Sequence, residues 1–398
     1  MTRQSITLVS PDHPLLEDMV EELSGDVDYS IRGPRFRRGG AGNGASPLWR
    51  RLAQQMAARI RGTAGGALLY QRVKAMLYAR PGPNGQMTHA FSQLGSGGPW
   101  IGDYENVNVL AFYSPRVLKA PLFRAGIRRA LASSHCRAVR VWSEMGRRSF
   151  ESVFGADFVR EKVVVVHPAI RFPDLEQFPP NRPGGPIRLL FIGRGFWVKG
   201  GAIFLEAIRR LKKRHLLAVD FICDVPDERR WEYADLEPVV TFHRPEFTRE
   251  ALYKRFYSKC DVFVMLGMAD SYGSVMLEAA AFSLPVIAMR LNSGLTDILR
   301  QTRNAIQIEP PLQLFDSDGV HLMEPSEMIG ILKRGPDEAT VERLMDAVEQ
   351  LVASPERRRE MGFRGQQTVK HGDLSASVMR TKLLELYATA THAGNKRK

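Results

Sequence analysis

Cysteine is scarce in this chain of 398 residues, which holds three: Cys136, Cys223 and Cys260. Their spacing fits no metal-ligand pattern, and an odd number leaves one over from any pairing. A disulfide framework is therefore not expected, and a reduced, cytosolic compartment is. Long hydrophobic runs are also missing. None approaches the about 18 residues of a membrane span, and the opening stretch MTRQSITLVSPDHP is too poor in apolar residues for a signal peptide. No repeat of solenoid length is present. The most uneven scarcity is of negative charge. Between Tyr29 and Phe150 there are 3 Asp+Glu against 20 Lys+Arg, so this block carries a surplus of +17 while the rest of the chain, from a total of +13, sums to −4. Such a block suits an anionic partner: a phospholipid surface, a polyanionic acceptor or nucleic acid. A solvated face of a basic protein would look the same.

What is present is ordinary globular material, 44% hydrophobic and 25% charged. The length is too great for one core and predicts two domains. Ile6–Ser10 reads as a first strand and Leu15–Leu23 as a helix. Arg32–Pro47, rich in Gly, Pro and Arg, reads as a mobile loop. Leu48, Leu52, Met56 and Ile60 recur every four residues and predict an amphipathic helix over Leu48–Arg61. Strand ends are expected near His89 and in PWIGDYE, Pro99–Glu105. An Arg-rich helix is predicted within Pro115–Arg148, then a short apolar element over Ala138–Ser143. Val163–Val166 reads as a buried strand closed by His167-Pro168. Asp174–Pro186, rich in Pro and Gly, is the linker; residues 1–173 form the first domain and 187–372 the second. Helices are expected over Ala339–Ala353 and Ser375–Ala390, the last (373–390) returning to the first domain, with a disordered tail over 391–398.

After the linker a strand, Ile187–Ile192, runs into the loop Gly193-Arg194-Gly195-Phe196-Trp197-Val198-Lys199-Gly200-Gly201. Glycines let a backbone approach a ligand, Arg offers a bidentate fork and Lys a point charge, a set that suits a diphosphate. A helix is expected over Ala202–Arg214, strands over Ala218–Cys223 and Val239–Phe242, and a helix over Arg249–Lys259. Then comes DVFVMLGMADSYGSVMLEAAAFSLPVIAMR, Asp261–Arg290, which reads strand, polar turn, helix, strand. In a βαβ unit a ligand sits beyond the carboxyl end of the first strand, over the helix N-terminus, where unpartnered amides bind phosphate. That place holds Asp270, Ser271, Tyr272 and Gly273. Glu278 follows eight residues after Asp270, about 12 Å along a helix, far enough for one carboxylate to serve a sugar and the other a ribose. An N-cap Asp or Ser and a surface Glu on a plain core helix would give the same pattern.

Together the two motifs say more than either does alone. FIGRGFWVKGG resembles the Gly-Arg…Lys-Gly loop of retaining glycosyltransferases of the family 4 type (group 1), and DSYGSVMLEAAAFSLPVIAM resembles their Glu-x7-Glu signature with its Ala-rich helix, Pro and strand. VVVVHPAI is similar to the strand and Pro that end their first domain. The resemblance covers roughly Val163–Ile298. It implies an α/β protein of glycosyltransferase-B architecture: two Rossmann-like domains facing each other across a cleft. It implies a nucleotide-diphosphate sugar as donor substrate, no cofactor and no metal, and a glycan or lipid-linked acceptor. Arg194 and Lys199 would hold the diphosphate with the amides of Tyr272 and Gly273, beside Gly193 and Ser271. Asp270, where the family has Glu, would meet the donor sugar, and Glu278 the ribose. Glu105 would stand where the family has a first-domain His facing the sugar, with His89 as rival. The glycine-rich turn usual after the first strand is absent from SPDHPLLED, and Gly39–Gly44 lie too far along to replace it. Asp316-Ser317-Asp318 reads as a turn. The basic first domain would face an anionic membrane. Two other readings stay open: a sugar-nucleotide epimerase of the same fold, and a nucleic-acid-binding protein, although no recognition module or aromatic interleaving marks the basic block.

Overall fold

A computed structural model describes residues 3–9, 13–32, 62–79, 86–179 and 185–392. They fall into two compact units. The first is Met1–Ala169 with Phe315–Pro325 and Ala376–Lys398; the second is Ile170–Leu314 with Ser326–Ser375. The expected loop Arg32–Pro47 beyond its first residue, the Gly39–Gly44 stretch and the amphipathic helix Leu48–Arg61 lie outside the described residues. So do 180–184 of the linker and the tail from 393.

Unit 1 is built on β1 (Gln4–Val9), β2 (Val27–Arg32), β3 (Met87–Phe91), β4 (Trp100–Tyr104), β5 (Cys136–Val141) and β6 (Val163–Val165). The order is β2-β1-β3-β4-β5-β6, every neighbour parallel. β3 and β4 are buried at every position, as central strands of a sheet covered on both faces are. β6 corrects the expectation of a buried strand. It is the sheet edge, with one neighbour, and Val164 is 41% exposed. The expected Arg-rich helix is two helices, Pro115–Lys119 and Pro121–Leu131. Pro121 has no N–H to donate and holds Ala120 extended, at φ −67° and ψ 123°, which ends the first helix. The helix Ala64–Tyr78, capped where Thr63 Oγ1 accepts from Gly66 N–H at 3.1 Å, was not legible in its glycine-bearing sequence.

Charge lies inside this unit. Asp103, on β4, is fully buried. Its Oδ2 accepts from His89 Nε2 and from Arg140 Nη1, each at 2.8 Å, and its Oδ1 from Trp142 Nε1 at 2.7 Å. His89 Nδ1 shares a hydrogen bond of 2.7 Å with the Tyr387 hydroxyl, on the helix Ala376–His392. Burial alone would push the Asp103 carboxyl up; the Arg140 guanidinium, then the His89 and Trp142 hydrogen bonds, outweigh it and hold the carboxyl below its usual range. The segment Phe315–Pro325 is clipped on by Asn108, whose Nδ2 donates to Gly319 O at 2.8 Å and whose Oδ1 accepts from His321 N–H at 2.9 Å. Within it Asp316 Oδ1 accepts from the amides of Asp318 and Val320, an Asx-type turn.

Unit 2 is built on β7 (Ile187–Gly193), β8 (Leu217–Cys223), β9 (Val240–His243), β10 (Val262–Met265), β11 (Val286–Met289) and β12 (Ala305–Ile308). Its order is β12-β11-β10-β7-β8-β9, again all parallel. From β7 the chain lays β8 and β9 to one side, then crosses to lay β10, β11 and β12 on the other. The direction reverses between β7 and β10, the place where open α/β sheets receive ligands. The core is apolar: Phe191 stacks on Phe204 and Phe221 at 4.9 and 4.7 Å.

Candidate functional site

The two loops that leave the carboxyl ends of β7 and β10 are stitched together. Met268 N–H donates to Val198 O at 2.9 Å. The Lys199 side chain lies over Gly193, where a Cβ would come within 2.7 Å of its Cγ. From there Lys199 Nζ reaches Asp270 Oδ1 in a close ion pair. Gly267 makes room for this carboxylate, since a Cβ there would fall 1.6 Å from Asp270 Oδ2. That second oxygen is buried without a hydrogen-bond partner among the described residues. Ser293 Oγ donates to Asp270 O at 2.7 Å and steadies the turn. Arg194 is exposed at the mouth of the first loop, its Nη2 donating to Pro245 O at 3.2 Å.

Beyond Asp270 the chain turns through Ser271, Tyr272 and Gly273 into the helix Val275–Ala281. Gly273 sits at φ +77°, a conformation natural to glycine. Tyr272 is buried and Ser271 half-buried. Glu278 is not a surface residue: it is 6% exposed. Arg249 Nε donates to its Oε1 at 3.1 Å and the Tyr257 hydroxyl to its Oε2 at 3.0 Å. The helix expected over Arg249–Lys259 is one α-turn, Arg249–Leu252, followed by a π-turn, Tyr253–Tyr257, a rare geometry frequent at functional sites. Burial first, then the Glu278 charge, push the Tyr257 phenol well above its usual range, so it stays a hydrogen-bond donor.

Residues 186–316 match the family model of glycosyl transferases group 1. Unit 2 carries a group 1 glycosyl transferase domain. The D-inositol 3-phosphate glycosyltransferase of Paenarthrobacter aurescens (strain TC1) is 31% identical over 178 residues, 40% of this chain and 41% of that protein. The chain therefore spans about two-fifths of that curated relative. Among solved structures, the α,α-trehalose 6-phosphate synthase of Burkholderia multivorans superposes over 100% of this chain and 99% of its own, with a TM-score of 0.62 at 12% identity. HepE of Anabaena, solved in complex with UDP, covers 97% of this chain and 100% of its own, with a TM-score of 0.58 at 11% identity. At such identities the likeness speaks to fold, and the fold of the whole chain is glycosyltransferase-B.

Against that fold, Lys199 and Asp270, 71 positions apart in sequence, are in contact, and Arg194 and the Ser271–Gly273 turn leave the same pair of strand ends. Glu278 sits one turn further along, inside the helix Val275–Ala281. In unit 1, Glu105 directly follows β4, half-buried, with the Tyr113 hydroxyl 3.4 Å from its Oε2. His89 is corrected as its rival. It is fully buried with both ring nitrogens engaged, and is part of the core network. Arg249, Tyr257 and Ser293 were missed by sequence reasoning. Nothing local marks them, because they act on Glu278 and Asp270 from 29, 21 and 23 positions away.

Proposed function

We propose that this protein is a retaining glycosyltransferase that moves a sugar from a nucleotide-diphosphate sugar to a glycan or lipid-linked acceptor. The observation that carries the reading is the Lys199–Asp270 pair at the point where the strand order of unit 2 reverses. A cation there suits a diphosphate, and a carboxylate with one buried, unsatisfied oxygen suits a sugar hydroxyl, which can donate to it. The donor diphosphate would take Lys199 and Arg194, beside Gly193, and the amides of Tyr272 and Gly273, with Ser271 at the turn. Asp270 would then accept from sugar hydroxyls with both oxygens. Glu278, oriented by Arg249 and Tyr257, would accept from the ribose.

In the reaction the bond from the anomeric carbon to the phosphate oxygen breaks, with its electron pair leaving on the diphosphate. The acceptor oxygen bonds to the same face of that carbon, and its proton passes to the departing phosphate. Lys199, Arg194 and the amides stabilise negative charge where it develops. Glu105 would stabilise positive charge on the sugar. The proposal is metal-independent, so a chelator leaves turnover unchanged, and no cofactor takes part. The UDP in the HepE structure makes UDP the first probe. At 100 times its dissociation constant UDP should add about 2.7 kcal/mol to stability. Absence of any thermal shift with UDP and the other nucleoside diphosphates would sink the reading. A donor-only assay separates transfer from epimerisation, since an epimerase converts the sugar nucleotide without acceptor.

We further propose a cytoplasmic protein that sits peripherally on the inner face of an anionic membrane. Among the described residues no helix is long and apolar enough to cross one; the support is the cation surplus of Tyr29–Phe150. A gel shift with steep salt dependence would favour nucleic acid instead.

A further inference from the structure

Unit 1 carries a surface that the donor site does not use. The helix Ala64–Tyr78 buries Ala67, Gln71 and Ala75 along one face. Its opposite face is apolar as well: Leu69, Val73, Met76 and Leu77 are 60%, 40%, 56% and 61% exposed. These fall at i, i+4, i+7 and i+8, one stripe of a helix. A contiguous exposed apolar stripe marks an interaction site, whereas scattered apolar residues do not.

The neighbouring helix Pro121–Leu131 extends this face and gives it a sign. The two helices meet at Gly126, where a Cβ would come within 2.5 Å of Leu68 Cδ2. Leu122, Gly126 and Arg129 share one row of that helix, at i, i+4 and i+7. The contact therefore places Leu122, 68% exposed, and Arg129 beside the stripe. Arg72, one turn after Leu68, is exposed on the same flank. Arg124, Arg128 and Arg129 line a groove with Val153 and Phe154. No Asp or Glu occurs between Gly62 and Gly102 or between Pro115 and Leu131. Among the described residues of these two helices every charged side chain is thus a cation.

We propose that this face docks on an anionic lipid bilayer. The apolar stripe would enter the interface, and Arg72, Arg124, Arg128 and Arg129 would meet lipid phosphates, the arrangement of an interfacial helix. A second copy of this chain is a poor occupant, because two-fold pairing sets each patch against itself and brings the same cations face to face. The proposal rests on the membrane reading above and names its surface.

The test is co-sedimentation with vesicles of phosphatidylcholine alone and of phosphatidylcholine with phosphatidylglycerol. The unaltered protein should bind the anionic vesicles, and less so as salt rises. Arg124→Gln/Arg128→Gln/Arg129→Gln should lower that binding by about fivefold per cation, and Leu69→Gln/Leu77→Gln by about tenfold or more. Both sets are exposed, and thermal melts check that they fold. If the unaltered protein ignores anionic lipid, the membrane reading falls and the proposal with it. If it binds and both variants bind equally well, the reading stands and this surface is wrong. Leu69→Cys adds a direct readout. Rapid maleimide modification that anionic vesicles suppress supports docking; slow modification without vesicles means that another part of the chain covers the stripe, and overturns it. A mass that doubles with concentration, and reverts in Leu69→Gln/Leu77→Gln, would assign the face to a second copy.

Discussion

The two units share a six-stranded parallel sheet but place their polar groups differently. In unit 2 Phe191, Phe204 and Phe221 stack at the centre, and Lys199 and Asp270 meet at the loops beyond β7 and β10. In unit 1 a carboxylate, a guanidinium and an imidazole sit inside the sheet, around Asp103, and the network is completed by Tyr387 from the far end of the chain. Strand order differs as well. Unit 2 reverses between its first and fourth strands, in the dinucleotide-binding order, while unit 1 reverses between β1 and β3, in the flavodoxin-like order with one strand added. Unit 2 therefore keeps the Lys199–Asp270 pair part-exposed at its strand ends, and unit 1 spends several ionisable groups on its interior.

The sharpest break in this comparison should come from Arg140→Ala. It leaves Asp103 buried beside one partner fewer, and removing one member of a buried pair costs about 3–5 kcal/mol. Hydrogen exchange at β3 and β4 should rise steeply while β7 and β10 stay protected. Equal loss in both units would mean that the two do not unfold separately.

Lys199→Ala should do the reverse. Turnover should fall by about 10²–10³-fold, the usual cost of one group that stabilises developing charge, with the melting temperature little changed, since the pair is part-exposed. Unchanged turnover would remove the donor assignment.

Acid should also separate the units. His321 is 4% exposed, and burial, only partly offset by the Tyr113 backbone, lowers its pKa to about 4 from 6.5. As pH falls the unfolded chain takes up a proton first. Stability is therefore full above about pH 6.5 and declines towards about pH 4, by about 3 kcal/mol at most. If His321 is the cause, the denaturant midpoint should fall between about pH 6.5 and pH 4 for the protein and stay flatter for His321→Asn; identical pH slopes would clear it.

The smallest effect expected is that of Tyr257→Phe. It removes one hydrogen bond to Glu278, worth about 1.5–3 kcal/mol when the acceptor is charged. If Glu278 serves the ribose, the KM for donor should rise with kcat little altered. A fall in kcat alone would place Glu278 elsewhere in the reaction.

Much of this was legible in the chain. The strand–turn–helix–strand of Asp261–Arg290 and the strand–loop of Ile187–Gly201 follow from apolar runs, glycines and an Ala-rich helix, all of which act over a few residues. The helix Ala64–Tyr78 was not, because it carries two glycines and is apolar on both faces, so no single period stands out. That Glu278 is buried was not legible, and a surface Glu stayed an alternative, because its partners, Arg249 and Tyr257, lie on another element. His89 read as a site candidate because a histidine at a strand end looks the same whether it faces solvent or Asp103.

The sequence by itself determined many of the elements, the α/β class and the two loops whose residue types suit a sugar nucleotide, since propensity, periodicity and turn chemistry are local. Only the tertiary structure decided that Lys199 meets Asp270, that Glu278 is held from behind, and that Phe315–Pro325 belongs to the first unit. Those outcomes depend on strand order and on which side chains lose water together, and both are properties of the assembled sheet that no local stretch encodes.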